Sequence, residues 1–461
     1  MDGRFDSPAR QATRLDAIKG SFDPWLVGCI LALAALGLVM VASSSMAVAE
    51  SRDLDPLHYF HRHLVYLAVG TGIAGVLMAR GDIRRIEAFG RWLPILGVIL
   101  LLLVLIPGLG HTVKGARRWV NLGPVGFQPA EAIKLLVIVW LASYLARFSD
   151  EVRGSWLSMF KAFGVALLFS AILLLVHKDF GTAALVLAIT TGMMLLGGVY
   201  LPRMVLPVLG LVPVLIGMIL MEPYRVQRLI SYTDPWKDPF GSGYQLTNAL
   251  MAVGRGEFWG VGLGSSVQKL SYLPEAYTDF IMAIIAEELG FVGVCLVVSL
   301  YALLVGRALW LGVKCVEMRR NFAGYLAFGI ALWIAAQAFI SIGVNVGLLP
   351  TKGLTLPLIS SGGSSILVTS AALGLLLRVS WELERAKRQV AVRREAMPVA
   401  VTMPVADLAT APAAANAPER PARAAEGIAR IRGLFSGGLF ERRAAMVRER
   451  IEPSFGGAST R

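Results

Sequence analysis

Charged residues are scarce in this chain: they make up 16% of the 461 residues, where a soluble globular domain carries about 25%. Cysteine is scarcer still, with Cys29, Cys295 and Cys315 the only three. Two sit in apolar runs and one in a basic loop, so a disulfide framework is excluded and all three read as reduced and structural. The five histidines and three cysteines show no zinc spacing; His58, His61 and His63 form at most a weak cluster. No G-x-x-x-x-G-K-[ST] segment and no dinucleotide fingerprint is present, which argues against ATP-driven work.

What the chain has instead is apolar residue, 56% of the total, with a mean hydropathy of +0.64. That excludes disorder over most of the length. The formal charge of +13 raises nucleic acid as a partner, but the basic residues lie in short loops between apolar runs and in the C-terminal tail. This is the pattern of a multi-span membrane protein, and no nucleic-acid partner is expected.

A membrane-crossing helix needs roughly 17–25 mostly apolar residues. Ten such runs are found, near 24–45, 63–79, 92–107, 130–147, 159–176, 180–198, 204–221, 289–308, 322–345 and 364–384. The expected fold is therefore all-α and integral to a membrane. Residues 1–23 form an N-terminal segment, 24–384 the ten-span domain, and 385–461 a basic, largely disordered tail. Ala47-Val48-Ala49 resembles a signal-peptidase site, but the run before it is longer than a signal core, so the first span reads as retained. Within the tail, Ile428, Ile431, Leu434, Phe435, Leu439 and Phe440 alternate with arginines, and three nearby glycines favour a solvated segment over a surface helix.

Lysine and arginine number 12 in one alternating set of short loops and 7 in the other, which places both termini in the cytoplasm. The long loop 222–278 then faces outward. Lys114, Arg117 and Arg118 run against this bias in an outer loop, where they contact either headgroups or an anionic ligand.

Ionisable residues at membrane depth are costly and mark candidate sites. The richest stretch is 268–290, QKLSYLPEAYTDFIMAIIAEELG. Asp279 stands where a helical pattern begins, so its position fits a helix N-cap as well as a functional carboxylate. Glu287 and Glu288 lie deeper and require cationic partners or protons. Glu131 and Lys134, at i,i+3, share a helix face and suit an ion pair. Asp179 suits a cap at a tight turn. Lys352, alone between Pro350 and Pro357 beside a Gly-Gly-Ser-Ser turn, suits a re-entrant loop lining a cavity.

GARRW, FQP-x-E, DFGTA, GYQ, GLGSS-x-QK, LPEAYTDFI, EELGFVG and SGGSS occur in that order. On these segments the chain resembles the SEDS family (shape, elongation, division and sporulation) over roughly 24–385. Its members are ten-span bacterial proteins that polymerise peptidoglycan from lipid II. Residues 350–357, PTKGLTLP, resemble the division branch rather than the elongation branch. The resemblance implies a peptidoglycan glycosyltransferase of the inner membrane at the division septum, its site facing the periplasm. It assigns Asp279 as the catalytic aspartate. The substrate cavity falls on Arg62, Arg118, Glu131, Lys134, Asp179 and Lys352, and Lys114 can add to the cations, optionally joined by a divalent cation, Mg²⁺ or Mn²⁺. Implied partners are lipid II, a class B penicillin-binding protein transpeptidase and other divisome proteins. Ala130, His177-Lys178, Ser271 and Ser361 depart from the common family pattern. A lipid II flippase and a non-catalytic scaffold are the rival functions.

Overall fold

The computed structural model describes residues 18–113, 116–122, 125–220 and 223–396. Lys114, most of the N-terminal segment and the tail beyond Ala396, expected to be solvated, lie outside the described residues. Among the described residues, eight helices are long and apolar enough to cross a membrane, and two shorter apolar ones, Phe180–Leu196 and Leu201–Gly210, occupy the positions of the other two expected spans. Their order matches the ten hydropathy runs.

The first helix, α1 (Pro24–Glu50), begins at Asp23, whose carboxylate accepts from the Trp25 and Leu26 amides, with Pro24 at the first helical position. α2 (His58–Arg80) follows. The third span is segmented into α3 (Ile83–Phe89), α4 (Leu93–Leu102) and flanking 3-10 turns. The loop after it contains a three-stranded antiparallel sheet, β1 (Gly110–Val113), β2 (Ala116–Leu122) and β3 (Val125–Phe127), in the order β1-β2-β3. The all-α expectation did not include this sheet. Short β-branched and aromatic stretches between glycines lack the length for a hydropathy scan to register.

Next come α5 (Pro129–Gly154), α6 (Trp156–Leu175), α7 (Phe180–Leu196) and α8 (Leu201–Leu220). The long loop expected over 222–278 is partly helical: α9 spans Pro223–Thr233 and α10 spans Tyr244–Gly256. α11 (Ile281–Glu317), α12 (Asn321–Asn345) and α13 (Gly363–Ala396) complete the chain, and α13 runs twelve residues past the expected end of the last span at 384.

α11 differs most from expectation. Its apolar run was placed at 289–308, but the helix starts at Ile281 and breaks at Gly290, with φ 66° and ψ −164°. Only glycine occupies that region without strain. The break frees backbone groups, and the segment 257–262 satisfies them. The amides of Val261 and Gly262 donate to the Glu287 and Glu288 carbonyls, while Phe291 and Val292 donate to the carbonyls of Glu257 and Phe258. A short half-helix, 281–289, is thereby held against segment 257–262. α12 is buried along most of its length, with Trp333 fully covered, and forms the centre against which α5, α7 and α11 pack.

Candidate active site

A cavity of about 780 Å³ opens among the β2 strand, the α6–α7 turn, α9, the loop before α11 and the loop after α12. Its wall includes Arg118, Asp179, Asp279, Lys352 and Glu131, which the family resemblance assigned to the site from five separate segments.

Asp279 does not cap α11. The cap position belongs to Phe280, which makes no side-chain cap bond. The Ala283 amide donates to Oδ1 of Asn345, at the end of α12, at 2.9 Å and to the Phe280 carbonyl at 3.1 Å. The Asp279 main chain is held from two sides: its amide donates to the Glu275 carbonyl at 3.1 Å, and its carbonyl accepts from Asn345 Nδ2 at 3.0 Å. The carboxylate lies on the cavity wall beside Gly353.

Lys352 sits in the extended segment after Pro350, with Nζ 4.3 Å from the Phe180 ring centroid. Burial pulls its ammonium down to about 8; Asp179 opposes this, and Arg225, Arg228 and Arg118 add to it. Arg118 donates to the carbonyls of His177 and Lys178 at 2.8 and 3.2 Å, which pins the sheet to the α6–α7 turn. Asp179 is both the cap of α7, accepting from the Thr182 amide and hydroxyl at 3.1 and 2.7 Å, and part of the cavity wall.

Glu131 and Lys134 form the expected ion pair, at 2.9 Å. Glu131 reaches the cavity, but Lys134 is fully buried behind it and is absent from the wall. The ammonium also donates to Gln337 Oε1 at 2.8 Å and lies 4.9 Å from the Trp333 ring centroid. Gln337 Nε2 continues to the Thr355 carbonyl at 2.8 Å, so this chain ties α5 to the Lys352 loop.

Arg62 is a correction. It is exposed, stacks on Tyr66 at 5.8 Å and does not line the cavity. The buried face of α2 carries Tyr59, His63 and Gly70, and Arg62, one residue before His63, is rotated about 100° off it.

Glu287 and Glu288 find the partners that their burial requires. Glu287 pairs with Arg255 at 2.8 Å and accepts from Ser266 Oγ and the Val267 amide; Glu288 pairs with Lys269 at 2.8 Å and accepts from Ser43 Oγ. They fasten the half-helix to the preceding loop and to α1.

Sequence reasoning missed Arg225 and Arg228 on α9, which both line the cavity. Arg228 donates to the Thr351 carbonyl at 2.9 Å, and Arg225 lies 5.8 Å from the Phe180 ring centroid. The signal available was the same as for Arg118, basic side chains on the side that charge bias disfavours. Lys178, Glu275 and the departing residue Ser361 also line the cavity. Among the described residues, no three His, Cys, Asp or Glu side chains come together as a metal group. The described residues of the cavity thus offer no protein cage for a resident Mg²⁺ or Mn²⁺.

A family model described as "Cell cycle protein", FtsW/RodA/SpoVE, matches residues 24–385. The chain belongs to this family. A probable peptidoglycan glycosyltransferase FtsW from Xanthomonas oryzae pv. oryzae is 58% identical over 381 residues, covering 82% of this chain and 77% of that one. A second, from Aromatoleum aromaticum, is 48% identical over 371 residues, with coverage of 79% and 90%. Among solved structures, a chain from a peptidoglycan synthase complex described for its structural coordination of polymerization and crosslinking superposes with TM-score 0.63 at 28% identity, over 79% of this chain and 98% of that one. The rod shape determining protein RodA of Thermus thermophilus gives 0.56 at 28% identity, over 78% and 97%. A family member of this kind is a multi-span protein of the bacterial inner membrane, in keeping with the ten apolar helices.

Proposed function

We infer that this chain is a peptidoglycan glycosyltransferase of cell division. It extends glycan strands from lipid II, with Asp279 as general base. The observation that carries the reading is the placement of the Asp279 carboxylate on the wall of a cavity that also presents Arg118, Lys178, Arg225, Arg228 and Lys352.

The reaction needs both kinds of group. A sugar 4-hydroxyl is a poor nucleophile at neutral pH, and a carboxylate within hydrogen-bonding reach raises its reactivity by taking the proton. The hydroxyl oxygen attacks C1 of the lipid-linked N-acetylmuramyl residue. The C1–O bond to undecaprenyl diphosphate breaks, and the proton passes to Asp279. Charge develops on the departing diphosphate inside a partly enclosed cavity, where fixed cations act more strongly than in water. Lys352 and the arginines of α9 supply them. Direct displacement inverts the donor from α to β.

The outward placement of the cavity follows from the lysine and arginine bias of the loops, and it makes undecaprenyl diphosphate leave toward the periplasm. Outward access distinguishes a polymerase from a flippase, which requires its site open to both leaflets in turn. The partner is a crosslinking enzyme, a class B penicillin-binding protein, by analogy with the complex that the fold matches; other divisome proteins complete the assembly.

The test is glycan formation from labelled lipid II by the wild type and Asp279→Asn, each co-purified with its transpeptidase. Polymer from the wild type and a loss of about 10²–10⁴ in the variant is the expected result. Equal polymer from both removes Asp279 as the base.

A further inference from the structure

We propose that Asn345 is a positioning residue for the Asp279 carboxylate and sets its spacing from Lys352. The inference rests on the reading of Asp279 as the base.

Asn345 is the last residue of α12 and is 1% exposed. Its amide is fully committed. Oδ1 accepts from the Ala283 amide at 2.9 Å, and Nδ2 donates to the carbonyls of Asp279 at 3.0 Å and Ser341 at 2.8 Å. One side-chain orientation alone satisfies all three, because the flipped amide would set NH₂ against an N–H and oxygen against two carbonyls.

These bonds do two things at once. The acceptor supplies, at the third helical amide, the side-chain cap that Phe280 at the cap position of α11 cannot. The donor grips the Asp279 peptide from the side opposite Glu275, whose carbonyl accepts the amides of Thr278, Asp279 and Phe280. Asn345 is also the root of the loop that carries Lys352 and Gly353 to the same cavity. One buried amide therefore fixes the base and the start of the cation-bearing loop to a common point. Misplacing a reacting group by about 1 Å costs about 10²-fold in rate.

The experiment uses the full chain with its transpeptidase partner and measures polymerisation of labelled lipid II for the wild type, Asn345→Ser, Asn345→Asp and Asp279→Asn. Asn345→Asp keeps an acceptor for the Ala283 amide and loses the donor to Asp279. Asn345→Ser is small enough to be accommodated and loses the reach of both. Rates are normalised to folded, partner-bound protein by co-elution, which leaves the result readable if one variant folds poorly. The expected result is a 10- to 100-fold lower kcat for both Asn345 variants, with KM for lipid II within about twofold of the wild type and a displaced acidic limb of the pH–rate profile. Wild-type kcat in Asn345→Asp overturns the proposal, as does a rise in KM at constant kcat. An Asp279→Asn variant as active as the wild type refutes the reading of the site. An inactive Asp279→Asn beside fully active Asn345 variants refutes only the role of Asn345.

Discussion

Gly353 and Asp279 approach so closely that a Cβ on the glycine would lie 2.8 Å from Asp279 Oδ2. A side chain at 353 would have to push the carboxylate or the Lys352 loop aside. Gly353→Ala is therefore expected to displace the carboxylate or the loop and lower kcat by at least about tenfold, while the protein still elutes with its partner. The comparison is made by polymerisation rate per folded complex. Unchanged turnover would show that the approach is incidental.

Lys352 predicts an alkaline limit to activity. Its ammonium is held down to about 8 by burial, so it loses its proton well below an ordinary lysine. The kcat/KM of the wild type should fall as pH rises through this value, and Lys352→Arg should move that limb upward, since a guanidinium stays charged. The stability effect has the opposite sign. Charged Lys352 opposes folding in full below pH 8, and this is relieved as pH rises from about 8 to the unfolded value of 10.5. A profile of kcat/KM against pH for both proteins checks the first point. Thermal unfolding across the same range checks the second.

Lys134 is expected to be structural before it is catalytic. Replacing it by Met leaves the Glu131 carboxylate, at 7% exposure, without its cation and Gln337 Oε1 with the Trp333 indole as its remaining donor. Breaking one side of a buried pair costs about 3–5 kcal/mol. The apparent Tm in detergent should drop accordingly. A Lys134→Met protein as stable as the wild type would mean that Glu131 is protonated or rehydrated through the cavity.

The absence of a three-ligand group among the described residues predicts that purified protein, dialysed against chelator, carries well under one metal ion per chain. Mg²⁺ held by one or two carboxylates and substrate phosphates would act only when lipid II is present, at millimolar concentration. Elemental analysis, followed by polymerisation with and without added Mg²⁺ or Mn²⁺, separates these cases. A stoichiometric metal that survives chelation would contradict the donor set described for the cavity.

How much was legible in the chain varies by residue. The ten apolar runs had to be helical, because a backbone in hydrocarbon must satisfy its own hydrogen bonds, and their order needed no coordinates. The need of Glu287 and Glu288 for partners was equally legible, since ionised carboxylates at depth do not stay unpaired. Their partners were not: Arg255 comes from the last turn of α10 and Lys269 from the loop after it, and segment 257–262 between them bonds across the break at Gly290. Arg62 and Lys134 were assigned to the cavity by resemblance, and packing removed both from its wall, one by helix rotation and one by burial.

The chain by itself thus determined which segments enter the membrane and which carboxylates and cations must be accounted for, because desolvation acts on each residue where it stands. Tertiary structure alone decided which of them meet. Asn345 is 66 residues from Asp279, and Arg228 is 123 from Thr351, with no local pattern linking either pair. Only the folded arrangement of α12, α9 and the loop after α12 brings each pair within hydrogen-bonding distance, and the same arrangement sets the Asp279 carboxylate on the cavity wall.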